Sequence, residues 1–202
     1  FPEGAHFLDA NFNIAEIYYA KKDWNNALAA YDVVADNSPN QYAERAILSA
    51  ARISFFELKN YPQAESYFAQ LKQITASQEN KLEAMRGLLR SQYQQQKWTE
   101  ALENAKELTA AKGSSADDKT LANMAIAKSY QVNRQYDQAI TSFKSVVQLN
   151  KAALAAEARY EIASSWFMLN KLTDAEKAAF ETINKSGSYD YWITKAYILL
   201  GD

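Results

Sequence analysis

The 202-residue sequence contains no cysteine, so disulfide frameworks and thiolate metal sites are excluded, although one missing residue type leaves the compartment open. Histidine is nearly absent as well. His6 stands alone near the N-terminus, and a solitary imidazole supplies neither a metal cluster nor a base paired with a nucleophile. With only 5 glycines and 3 prolines the chain has few turn-formers for a many-stranded sheet and suits helices joined by short polar loops. The glycines are scattered singly, so no phosphate-cradling loop exists. The longest apolar-rich run, AILSAARISFF from Ala46, is too short and too polar to cross a bilayer, and no direct membrane insertion is expected. Neither sign of charge dominates, because the formal net charge is −2, and no basic stripe is present to neutralise phosphates. Nucleic acid is not the expected partner. The sequence opens at Phe1 without Met and stops at Asp202 inside a helical pattern, so any signal peptide, anchor or further domain is expected outside this fragment.

What is present is repetition. WNNALAAY from Trp24 returns as YPQAESYF from Tyr61, WTEALENA from Trp98, YDQAITSF from Tyr136 and LTDAEKAA from Leu172. The alanine of each copy serves as an anchor. Ala27, Ala64, Ala101, Ala139 and Ala175 lie 37, 37, 38 and 36 residues apart, a period that marks solenoid repeats. Three residues before the anchors stand Trp24, Tyr61, Trp98, Tyr136 and Leu172, and four after them Tyr31, Phe68, Ala105, Phe143 and Ala179. Seven after come Val34, Leu71, Leu108, Val146 and Thr182, which completes one amphipathic helical stripe in all but the last copy.

A further helix precedes each of these across a polar turn such as AKKD at Ala20 or LKN at Leu58. Twelve residues before three anchors stand Ala15, Ala127 and Ala163, small enough for two antiparallel helices to approach closely. Nine before the anchors come Tyr18, Phe55, Gln92, Tyr130 and Trp166, mostly rings filling the space beside that contact. One such pair cannot cover its own apolar faces, whereas a stack can.

This pattern resembles the tetratricopeptide repeat family. The copy NFNIAEIYYAKKDWNNALAAYDVVADNSP from Asn11 carries the family's small residue, aromatic, alanine, aromatic and closing proline as Ala15, Tyr18, Ala27, Tyr31 and Pro39. Copies two and three depart from it, with Arg52 and Leu89 where the small residue is expected. Copies three and five depart at the second aromatic, with Ala105 and Ala179. The resemblance implies an all-α, right-handed α-solenoid of antiparallel helix pairs. It makes residues 1–202 one solenoid with repeats at 8–41, 45–78, 82–115, 120–153 and 156–189 and a truncated sixth from 191. The long period is similar to bacterial cell-envelope proteins of the Tol-Pal and outer-membrane-assembly type. That similarity favours a periplasmic or outer-membrane-associated setting over a cytoplasmic one.

The resemblance also implies a function: a non-enzymatic scaffold that binds a peptide or partner protein in a concave groove lined by the first helices. Residues fifteen, eleven and eight before each anchor form one helical stripe and are the expected lining. From them Phe12, Glu16, Tyr19, Ile53, Phe56, Arg86, Arg90, Tyr93, Lys128, Tyr160 and Phe167 are the candidate ligand-binding residues. Tyr19, Phe56, Tyr93 and Phe167 would form a ladder of rings, while Arg86, Arg90 and Lys128 would form a basic cluster suited to an acidic partner. The lysine and asparagine set with which chaperone-binding members grip a terminal carboxylate has no match. No cofactor, metal site or catalytic residue is expected, and SSADDK at Ser114 reads as a helix cap made by Ser115 and Asp118, not as an acidic site. Two other readings stay open: a regulatory or substrate-docking segment of a larger enzyme, and a self-assembling structural protein. The oligomeric state stays open with them.

Overall fold

The computed structural model describes residues 6–150 and 152–201, in which eleven α-helices follow one another with no strand. They are α1 (Phe7–Ala20), α2 (Trp24–Asp36), α3 (Ala43–Arg52), α4 (Tyr61–Ile74), α5 (Gln78–Gln94) and α6 (Trp98–Ala110). There follow α7 (Ala116–Val132), α8 (Tyr136–Leu149), α9 (Ala153–Met168), α10 (Leu172–Lys185) and α11 (Asp190–Gly201). Each even-numbered helix from α2 to α10 carries one of the five anchor alanines.

The turns between the first and second helices of the repeats share one backbone device. Lys22, Lys59, Gln96, Arg134 and Asn170, each five residues before an anchor, adopt positive φ between 54° and 58°. Such a left-handed residue ends a helix by letting the next amide reach back over the last turn. The Asp23 amide donates to the Tyr18 carbonyl at 3.0 Å, and the Gln135 and Lys171 amides reach Tyr130 and Trp166 in the same way at 2.9 and 3.0 Å. Asp23 then accepts from the Asn26 amide, and Asn60 from the Gln63 amide, so that one short loop closes one helix and caps the next. Ser115 and Asp118 form the reciprocal cap on α7.

Two compact units make up the chain, one extending to Gln96 and one beginning at Lys97. In the N-terminal unit α1 packs on α2, α3 on α2 and α4, and α4 on α5. In the C-terminal unit α6 packs on α7, α7 on α8, α8 on α9, and α9 on α10, with α11 covering α9 and α10. The anchors Ala27, Ala64, Ala101 and Ala139 are wholly buried and Ala175 nearly so. Tyr31, Phe68 and Phe143 beside them are buried too, and each such ring contributes about 1.5–3 kcal/mol by leaving water. Across the facing helix, Ala15, Ala127 and Ala163 are equally inaccessible. In the C-terminal unit Ala163, Ala179 and Ala196 meet in one cluster where three helices converge, with Tyr160, Ile183, Leu199 and Leu200 packed against them.

The second repeat explains one of its departures. A π-helical turn occupies Ile53–Glu57, where the Leu58 amide donates to the Ile53 carbonyl five residues back, so that one extra residue enters the helix. Upstream of that turn every position shifts by one. Ala51, buried, therefore takes the place of the small residue, and Arg52 is carried out to the surface. The same shift turns Ile53 inward, where it is 1% exposed in the core with Ala27, Tyr31 and Ala50. In the third repeat Leu89, also expected to be small, is wholly buried. Gly87 lies nearby on α5 and lets it close on α4, since a Cβ there would stand 2.3 Å from the Phe68 ring.

Two stability predictions follow from these contacts. Gly87→Val drives a branched side chain into a fixed ring and is expected to cost about 1–3 kcal/mol or more, as is Ala64→Trp; chemical denaturation with a normal midpoint for both would refute the close contact. Arg134→Gly relieves a left-handed L-residue and raises the thermal midpoint, while Arg134→Val lowers it; the reverse order would remove the turn geometry as the cause.

Candidate functional site

The stripe expected to line a groove divides, in the structure, into three environments. Position fifteen before the anchor is an interior one. Phe12 is 4% exposed, stacked on Tyr42 with centroids 4.9 Å apart, and covered by the Arg45 guanidinium at 4.8 Å. Met124 is wholly buried. Tyr160 and Arg86 are half-buried. Phe12 and Ile53 are therefore core residues and offer nothing to a ligand, because their side chains are spent between helices.

Eight residues before the anchors the rings do reach solvent. Tyr19 and Phe56 are 43% and 46% exposed, each resting edge-on against one neighbour, Trp24 at 5.4 Å and Phe55 at 4.9 Å. Tyr93 and Phe167 are half-buried. Phe167 lines a cavity of about 290 Å³ between α9, α10 and α11, where Leu172, Ala175, Ala179, Leu199 and Leu200 share the wall with the polar Thr173 and Glu176.

Position eleven carries charge, and most of that charge is already used. Glu16 accepts from the Tyr31 hydroxyl at 2.5 Å and faces Arg45 of the next first helix at 3.9 Å. Arg52, shifted into this register by the π-turn, meets Glu83 of α5 at 3.1 Å, and Arg86 approaches the same carboxylate at 3.5 Å. In the C-terminal unit Lys128 bridges Glu161 at 2.7 Å and Glu157 at 3.0 Å, and Gln131 donates to Glu161 at 2.7 Å. These are inter-repeat ties of one kind: a charge on one first helix meets the opposite charge on the first helix of the next repeat. Arg90 breaks the series. It lies exposed with no ion pair among the described residues.

The basic cluster expected from Arg86, Arg90 and Lys128 is thus reduced to one uncommitted guanidinium. The sequence offers Glu83 as a compensating partner on this face, and the structure pairs it with Arg86 and Arg52, while Glu157 and Glu161 answer Lys128 from the next first helix. Burial by itself draws the Lys128 proton off, yet Glu161 and Glu157 together outweigh it and raise its pKa. Tyr31 and Tyr67 are raised well above the ordinary phenol range, first by burial and then by donating to Glu16 and Asp32. Among the described residues no group of acidic, histidine or cysteine side chains could hold a metal ion. His6 is exposed at the start of α1. No helix there is long and apolar enough to cross a membrane.

Sequence profiles of the tetratricopeptide repeat match residues 9–40 and 124–190. Those two segments are similar to tetratricopeptide repeats. No curated protein matches it in sequence. Among solved structures, that of the MamA protein is similar over 93% of this chain and 96% of its own, with a TM-score of 0.70 at 15% identity. YrrB, described as a tetratricopeptide repeat protein with an unusual peptide-binding site, aligns over 91% of this chain and 89% of its own, with a TM-score of 0.68 and 15% identity. A MamA fragment from Desulfovibrio magneticus RS-1 aligns over 93% and 98%, with a TM-score of 0.67 and 15% identity. At these identities the likeness establishes the all-helical repeat fold.

A pH dependence follows from the raised groups. Tyr31, Tyr67 and Lys128 all hold their protons more tightly folded than unfolded, so their contribution is complete below about pH 10 and is lost as the pH climbs through their folded values. Thermal midpoints between pH 8 and about pH 11.5 are expected to fall steeply above pH 10. Tyr31→Phe combined with Tyr67→Phe should start lower and fall less; a parallel decline would assign the alkaline loss elsewhere.

Proposed function

We propose that the chain is a protein-interaction scaffold whose first-helix face takes an acidic peptide or an acidic segment of a partner protein. The observation that carries this reading is Arg90. Every other charge at its register is tied to an opposite charge of the next repeat, whereas its guanidinium is exposed and can bind a carboxylate bidentately. Glu16 ties α1 to α2 and α3, and Arg86 shares Glu83 with Arg52, so these charges of the same unit are engaged within the stack and leave Arg90 to supply the binding energy. The half-exposed rings Tyr19 and Phe56 add apolar anchors in the same unit. The description of YrrB as peptide-binding supports a peptide-binding use of this fold. A setting in the bacterial cell envelope belongs to the proposal through the long repeat period and the sequence resemblance.

Fluorescence anisotropy with labelled twelve-residue peptides, half rich in Asp, Glu and Phe and half with the acids replaced by amides, tests the reading. The wild type is expected to prefer the acidic set. Arg90→Glu should weaken that set by at least about tenfold, or 1.4 kcal/mol, with an unchanged helical circular-dichroism signal. Arg90 is the residue to vary, because a glutamate at Arg86 would face Glu83 and unsettle α5 itself. Equal affinity of wild type and variant for acidic peptides refutes the site.

A further inference from the structure

A second arrangement lies in the C-terminal unit, apart from the charge ladder. Tyr191 and Trp192, adjacent on α11, meet edge-on with centroids 4.8 Å apart, and Trp192 lies against Tyr160 of α9 at 5.6 Å and an interplanar angle of 32°. The ammonium of Lys195 reaches between the three rings, at 5.1 Å from Tyr160, 5.4 Å from Tyr191 and 5.6 Å from Trp192. All three distances fall inside the range of about 6 Å in which a cation is drawn to an aromatic face. Among the described residues Lys195 makes no ion pair, so these rings are its counter-charge. Tyr191 is 63% exposed, and the cage opens to water on its side.

The occupant suits the cage poorly. A primary ammonium carries three donors and a tight hydration shell, and ring faces satisfy no donor. A cation without N–H groups gains the same attraction while giving up less water. We propose that Tyr160, Tyr191 and Trp192 form a binding site for the quaternary ammonium head of a small solute, with Lys195 as a built-in occupant that the ligand displaces. The displacement needs no backbone movement. Lys195 follows Tyr191 by four residues and Trp192 by three on one helix, and its flexible stem can swing the ammonium outward into water. Neither Arg90 nor the acidic-peptide reading is needed for this site.

The test is a titration of the full chain with choline and with its neutral isostere 3,3-dimethylbutan-1-ol, followed through the indole N–H resonance of Trp192. A saturable shift with choline and none with the neutral alcohol is expected. Lys195→Ala should tighten choline binding by about fivefold, the scale of one exposed cation–π contact, and Lys195→Gln gives an independent check. Adding Tyr191→Ala to Lys195→Ala should remove the gain. An equal response to the neutral alcohol overturns the proposal. So does the lack of any saturable shift in both lysine variants, or an affinity indifferent to Tyr191, with the thermal midpoint confirming that each variant is folded.

Discussion

The structure depends on helices allowed to come close. At the anchors, and opposite them in every repeat but the third, the side chain is a methyl group, so backbones approach until the neighbouring rings have no other place than the space beside the contact. Tyr31, Phe68 and Phe143 are buried because alanine stands next to them. The left-handed residues Lys22, Lys59, Arg134 and Asn170 serve the same end, returning the chain within a few residues so that the two helices they join lie side by side. Neither feature works alone. A tight turn without the alanine would splay the pair, and the alanine without the turn would leave its partner unspecified.

This logic also says why the repeat was legible and the face it presents was less so. Anchor spacing is a local matter, governed by the geometry of single helices, and the five alanines carry it openly. Position fifteen depends on how far the next repeat has closed over it, which no spacing within one helix states, and so Phe12 is found in the core. Ile53 was misplaced for a different reason. One extra residue in the π-turn moved its helix by a position, and the only trace in the sequence was Arg52 standing where a small residue was expected with Ala51 beside it. An irregular residue in a regular array therefore has two explanations, a locally opened contact or a slipped register. A small neighbour one position away separates them.

Charge placement follows a similar division. The charges at position eleven, Glu16 and Lys128 among them, are plain in the sequence, but their partners stand on the first helix of the next repeat, a pairing that appears only when successive first helices are laid together. Exposed pairs of this kind contribute little, about 0–1 kcal/mol, whereas Lys128 with its two carboxylates is mostly enclosed and fixes one geometry. Their larger effect is on register, because a slipped repeat would set like charges opposite one another. Glu16 with Arg45 uses the opposite polarity from Arg52 with Glu83, so the two junctions of the N-terminal unit are not interchangeable.

Cohesion and recognition therefore draw on the same positions. A charge answered inside its own unit contributes to the stack and is closed to ligands, and an exposed charge with no ion pair among the described residues is open. Substituting the answering residue is enough to convert one into the other, without altering the anchor or the turn. The identity of a ligand is then written less in the stripe that touches it than in the residues that decline to pair with that stripe. Arg86 and Arg90 show the difference within a single helix: they are four residues apart and of one type, and Glu83 engages only the first of them.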